Sequence, residues 1–132
     1  MTDFATMRLP ADPTVVAPDG SDVRVLLGLA GGGMAHFELA AGRVSQAVVH
    51  RTVEEIWFVL AGRGEMWRMQ GQREEVVALE PGVCLTLPVG TRFQFRASPA
   101  QAVSAVAITL SPWPGEQEAV LVEGPWAANL AC

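Results

Sequence analysis

The chain has no lysine and no tyrosine among its 132 residues. The first absence excludes a lysine Schiff base, and the second a tyrosine acid–base residue. Histidine is scarce too: His36 and His50 are the only two, so a three-histidine metal site within one chain is excluded. The two cysteines, Cys84 and Cys132, lack metal-site spacing, and in a reducing compartment both are expected as free thiols. No GxSxG occurs, which leaves a serine hydrolase of that type without support. The glycines at 31–33 do not form a GxGxxG. No apolar run approaches the roughly 18–20 residues needed to span a bilayer. Positive charge is thin, with nine arginines against 14 acidic residues and a net charge of −5. With no basic run and no basic–aromatic interleaving, nucleic acid is not an expected partner. The N-terminus places Asp3 early and Pro10 and Pro13 soon after, without the blocks of a secretory signal. A cytoplasmic protein with no membrane partner is expected.

What is present is a hydrophobic half of the composition, enough for one domain with one core. Residues 1–20 carry Pro10, Pro13 and Pro18 without a clear period and read as an arm or loop, with room for one edge strand. From 21 to 132 the chain reads as a β domain, with a C-terminal extension from about 111. Val23, Val25, Leu27 and Leu29 alternate; Gly31, Gly32 and Gly33 read as a turn; Phe37 and Leu39 share a face opposite His36 and Glu38. Further strands follow in IWFVL, RGEMWRM, EEVVAL, CLTL, TRFQFR and AVSAVAITL, separated by Gly and Pro turns. AVLVEGPW offers a last one. In TRFQFR, Phe93 and Phe95 are expected inside, with Arg92, Gln94 and Arg96 outside. Short strands at roughly 8–12-residue spacing indicate an all-β sandwich or barrel.

The organising stretch runs from Gly42 to Gly62. In QAVVHRT, Gln46, Val48, His50 and Thr52 share one face if the segment is extended. Glu55 opens the next apolar run, and alternation admits only one of Glu54 and Glu55 to the interior. The spacing to Gly62 favours Glu55. A second stretch, Gly82 to Phe95, supplies Pro88 and Gly90. The offsets of Gly42, His50, Glu55 and Gly62, and of Gly82, Pro88 and Gly90, are those of the two cupin motifs. The chain therefore resembles the cupin superfamily, in its small single-domain form, over about residues 25–110.

That resemblance implies a six- to eight-stranded jelly-roll β-barrel, open at one end, with the site inside. It also implies a metal held by three histidines and a glutamate. Here Val48 stands at the first histidine position and Phe93 at the third, so only His50 and Glu55 remain. A weakly bound divalent transition metal at these two is the most such a set offers. The expected pocket comprises Gln46, Val48, Thr52, Trp57, Phe93 and Phe95, with His50 and Glu55 as catalytic candidates for proton transfer of an isomerase or lyase kind. Three functions stay open: a small-molecule enzyme, a non-catalytic barrel binding a small organic molecule in an apolar pocket, and a partner module with Trp113 and Trp126 at an interface. A homodimer is expected, because edge strands need covering and residues 1–20 and 112–126 are candidate covers.

Overall fold

The computed structural model describes residues 2–115 and 117–130; Cys132 lies outside them. Eleven strands and no helix are found among the described residues: β1 (Val15–Val16), β2 (Asp22–Leu29), β3 (Gly32–Leu39), β4 (Val48–His50), β5 (Glu54–Gly62), β6 (Gly64–Gln70), β7 (Arg73–Leu79), β8 (Cys84–Leu87), β9 (Arg92–Ala97), β10 (Val103–Leu110) and β11 (Ala119–Leu121). They form two antiparallel sheets, ordered β1-β2-β3-β10-β5-β8 and β11-β4-β9-β6-β7. The all-β jelly-roll expectation holds. Among the described residues no helix is long and apolar enough to cross a membrane.

Alternation decides what each strand contributes to the core. Trp57 and Val59 of β5, Ala105 and Ala107 of β10, Leu85 and Leu87 of β8, and Phe93 and Phe95 of β9 are all buried between the sheets. Phe37 stacks on Trp57 at 4.8 Å, and Trp57 meets Phe95 edge-on at 5.2 Å. These aromatics form the core, which offset and edge-to-face pairs stabilise beyond their buried area. On the far face of the first sheet Met34, Ile108 and Ile56 align across β3, β10 and β5 and remain exposed.

Three features depart from the sequence reading. Gly32 and Gly33 belong to β3, because a Cβ on Gly32 would lie 2.2 Å from the Thr109 carbonyl oxygen of β10. They permit close strand approach and do not mark a turn. Gln94 points away from the core, as alternation demands, yet it is buried. Its Nε2 donates to the carbonyls of Ser45 and Trp126, so the C-terminal segment covers it. Cys84, a free thiol of a type commonly buried as a small hydrophobe, is exposed on the outward face of β8, with Leu85 and Leu87 turned inward.

The segments flanking the sheets are tied down by side chains. In the N-terminal arm, the carbonyls of Pro10 and Ala11 accept from the Arg24 guanidinium. At the other end, β11 pairs with β4, and Asn129 exchanges hydrogen bonds with Val44 and Gly42. Trp126 lies under the Arg96 guanidinium, 4.0 Å from its ring centre.

Candidate functional site

His50 closes β4, and Glu55 sits near the start of β5 after a short bend at Arg51–Thr52. Both turn inward. His50 is 6% exposed, and its ring meets Phe93 edge-on at 5.1 Å and Trp113 at 5.0 Å. Glu55 is 3% exposed while Glu54 is exposed, which resolves the choice between them. Trp57 Nε1 donates to Glu55 Oε1 at 3.1 Å. Val48 faces Phe93 across the β4–β9 ladder, both buried, so the apolar wall beside His50 is present.

The electrostatics differ from a simple His–Glu pair. No hydrogen bond joins His50 to Glu55. Burial lowers the His50 pKa against the opposing pull of Glu118 and of the Val53 carbonyl, so the ring is neutral at pH 7. Its Nδ1 is buried with no protein partner. Glu55 is pushed up to about 7, first by burial and then by the negative charge of Asp19, with the Trp57 hydrogen bond opposing. Asp19 is itself buried and raised by that burial, although the Ser21 amide and hydroxyl both donate to its Oδ1. A carboxyl that is half-ionised near neutrality and a neutral imidazole can each take or give a proton.

Glu118 is the residue that the sequence reading passed over. It comes from the C-terminal extension and accepts from Thr52 N at 2.7 Å, Thr52 Oγ1 at 2.6 Å and Val53 N at 2.8 Å. Its own carbonyl accepts from Arg51 N. Burial works to raise its pKa, but these donors and His50 outweigh it and hold the carboxylate below its usual range. Glu118 thus clamps the connection between His50 and Glu55. Nothing local signals this, since the donors to its carboxylate lie 65 and 66 residues away.

Two expected pocket residues are engaged elsewhere. Thr52 is exposed, and its hydroxyl donates to Glu118. The bend at 51–52 ends the alternation that would have turned it inward. Gln46 lies before β4 begins, and its Nε2 donates to the Leu130 carbonyl. Of the polar residues in QAVVHRT, only His50 remains directed at the aromatic core.

The donor set does not fit a metal. Val48 and Phe93 carry no donor atom, and His36 lies on the opposite face of β3 from Phe37. Among the described residues no three His, Cys, Asp or Glu side chains gather where they could hold an ion. Two cavities lie among the described residues, each with a lining of mixed polarity. One, of about 450 Å3, lies beside Ser21, Glu38, Arg43 and Asn129. The other, of about 150 Å3, is lined by Arg68, Gln70, Arg73, Glu75, Thr86 and Thr91 among others. Neither His50 nor Glu55 lines either one.

Comparison with known proteins agrees with this architecture. A family model described as "Cupin domain" matches residues 35–109. No curated protein sequence matches the chain. Among solved structures, the capsular polysaccharide assembling protein CapF from Staphylococcus aureus superposes with a TM-score of 0.71 at 12% identity, over 80% of this chain but only 33% of CapF. A variant of Streptomyces Pac13 with uridine gives 0.69 at 18% identity, over 92% of both chains. A recombinant oxalate oxidase in complex with glycolate gives 0.70 at 21%, over 92% of this chain and 65% of the oxidase. Pac13 is a nucleoside dehydratase, so enzymes occur among the structures that share this fold.

Proposed function

The chain belongs to the cupin family, and from that premise we propose that it is a small-molecule enzyme that transfers protons without a metal step. The reaction is of the isomerase or lyase kind, and His50 and Glu55 carry it. One observation carries the reading. Glu55 is a buried carboxyl with a single hydrogen bond, poised to ionise near pH 7, on the inner surface that also bears a neutral imidazole. A group with that poise in an apolar wall destabilises the fold at high pH, and such groups cluster at sites of chemistry.

In the proposed step the neutral His50 ring accepts a proton from carbon next to a carbonyl, through the unpartnered Nδ1. Protonated Glu55 donates to the oxygen that gains negative charge. Return of the proton from His50 to a different carbon, with the enol proton going back to Glu55, gives isomerisation. In elimination the enol proton returns to Glu55 as the carbonyl re-forms, Glu55 passes it to the β-hydroxyl that departs as water, and the proton held by His50 then restores the acid. Val48, Phe93 and Trp113 exclude water and keep both groups close to neutrality. The nucleoside dehydratase Pac13, a β-barrel matched over 92% of both chains, makes elimination a reaction that this fold can host.

A non-catalytic barrel is the second reading. The near-complete burial of His50 and Glu55, away from both cavities, favours it. The test is deuterium uptake from solvent, followed by NMR, over a panel of hydroxy acids, keto acids and nucleosides. His50→Asn and Glu55→Gln should each lower turnover by about 10²–10⁴-fold with the fold intact. Full activity in either variant removes that residue from the chemistry. An inert panel moves the assignment to the binding barrel.

A further inference from the structure

The cavity of about 150 Å3 lies in the seam between β8, the edge of the first sheet, and the β6–β7 hairpin. Arg68, Gln70, Arg73 and Glu75 reach it from one face of the β6–β7 hairpin, Thr86 from β8, and Pro88 and Thr91 from the turn that follows β8. Arg68 sits opposite Phe93 in the β6–β9 ladder and opposite Glu75 in the β6–β7 ladder. It therefore has the same orientation as Phe93, whose ring touches His50. Thr91 lies on the 88–91 turn, where the Gly90 amide reaches the His50 carbonyl at 3.4 Å. The 88–91 turn thus links the rim of the cavity to the His50 backbone.

The lining is rich in donors. Arg68 donates one N–H to the Thr86 carbonyl at 3.0 Å, and it shares Glu75 with Arg73, each guanidinium 3.3 Å from its own carboxylate oxygen. Two cations against one anion leave a formal charge of +1 in a chain of net charge −5. Gln70 Nε2 donates to Thr91 Oγ1 at 3.1 Å, so the Thr91 hydroxyl hydrogen is free to point elsewhere. Thr91 is only 3% exposed, which places that donor against the enclosed side of the cavity.

We propose that this cavity binds the carboxylate of a small organic acid, held by Arg68, Arg73 and Thr91. The guanidinium fork matches a planar carboxylate. The volume suits a few heavy atoms, well short of the roughly 300 Å3 where drug-sized pockets begin. Glu75 disfavours a phosphate dianion, since the cavity neutralises only one negative charge. That the acid is the substrate rests on the proton-transfer reading above, but its binding does not require turnover.

The test is NMR titration of the protein with propionate, with propionamide as the neutral isostere and inorganic phosphate as the competing anion. Propionate should shift the amides of Arg68, Gln70 and Thr91, propionamide should not, and phosphate should bind more weakly. Arg68→Met should weaken propionate by about tenfold or more. Because Arg68 also ties β6 to β8, Arg73→Gln serves as the second variant. Its side chain is 78% exposed, and among the described residues its one ion pair is with Glu75, so the fold should survive while propionate binding weakens several-fold. Equal binding of propionamide, tighter binding of phosphate, no shifts, or unchanged affinity in Arg73→Gln each overturns the proposal. Propionate binding that persists in His50→Asn while turnover is lost supports both readings. Loss of propionate binding in Arg73→Gln, with turnover retained in His50→Asn, sinks the catalytic role and keeps the anion site.

Discussion

Replacing Glu55 by Gln isolates one titration that burial has displaced. In the unfolded chain the carboxyl ionises near 4.5, and in the folded protein near 7. Between those values the native state holds a proton that the unfolded state gives up. Linkage then makes stability fall as pH rises through that window and level off above about 7. The gap between 4.5 and about 7 corresponds to about 3 kcal/mol at about 1.4 kcal/mol per pH unit. Buried Asp19, also raised, adds a loss of the same sign, so the wild-type curve alone does not apportion the effect. Gln keeps an oxygen for Trp57 Nε1 and carries no charge at any pH. At pH 5 the variant should match the wild type within about 1 kcal/mol, and at pH 8 it should be the more stable by up to about 3 kcal/mol. Urea unfolding followed by tryptophan fluorescence reads both, since Trp57 is 1% exposed in the native state. A wild-type-to-variant difference that is the same at pH 5 and pH 8 refutes the reasoning.

Glu118→Ala leaves the Val53 amide buried without its acceptor, and the loss should be about 2–3 kcal/mol by urea unfolding at pH 7. Because the folded pKa of Glu118 is depressed, its contribution is present above about pH 4.5 and fades as pH falls through the folded value; a variant within about 0.5 kcal/mol of wild type at pH 7 would discard the clamp. Gly124→Ala puts a Cβ 2.3 Å from Gln94 Oε1 and 2.6 Å from Ala47 Cβ. It should cost about 1–3 kcal/mol and raise hydrogen exchange at Trp126 N, which donates to Gln94 Oε1; unchanged exchange there argues against Gln94 holding the C-terminal segment. We also propose that a second copy covers the exposed Met34, Ile108 and Ile56 row, making a homodimer. Light scattering should give twice 14.1 kDa, Ile108→Asp should halve it, and a stable wild-type monomer at micromolar concentration rules the interface out.

The strands were legible because burial enforces a period of two: Trp57, Val59, Phe93 and Phe95 alternate with exposed or outward neighbours. The offset from Glu55 to Gly62 was legible for a physical reason as well. Gly62 has φ +86°, and a Cβ there would lie 1.7 Å from the Ala102 carbonyl oxygen, so glycine is required where β5 ends. Arg68 was readable in principle, being two residues from buried Met66 on the same strand. Glu118, Asp19 and Trp113 were not. Glu118 and Trp113 meet Thr52 and His50 only once the chain has folded, and the charge of Asp19 bears on Glu55 from 36 residues away, so one sequence offers no local signal for them. His50 also proves to be packed by two aromatic rings, so truncating it to Ala would open a cavity. That is why Asn is the better probe.

The clamp on Thr52 and Val53 has a kinetic side. Its hydrogen bonds close loops of 66 and 65 residues, and the chain must lose that freedom before the carboxylate meets its donors. Contacts of such long sequence separation form late in folding. A substitution at Glu118 should therefore leave the refolding rate nearly unchanged and act by speeding unfolding. The surroundings of His50 would then be the last part of the barrel to assemble and the first to come apart.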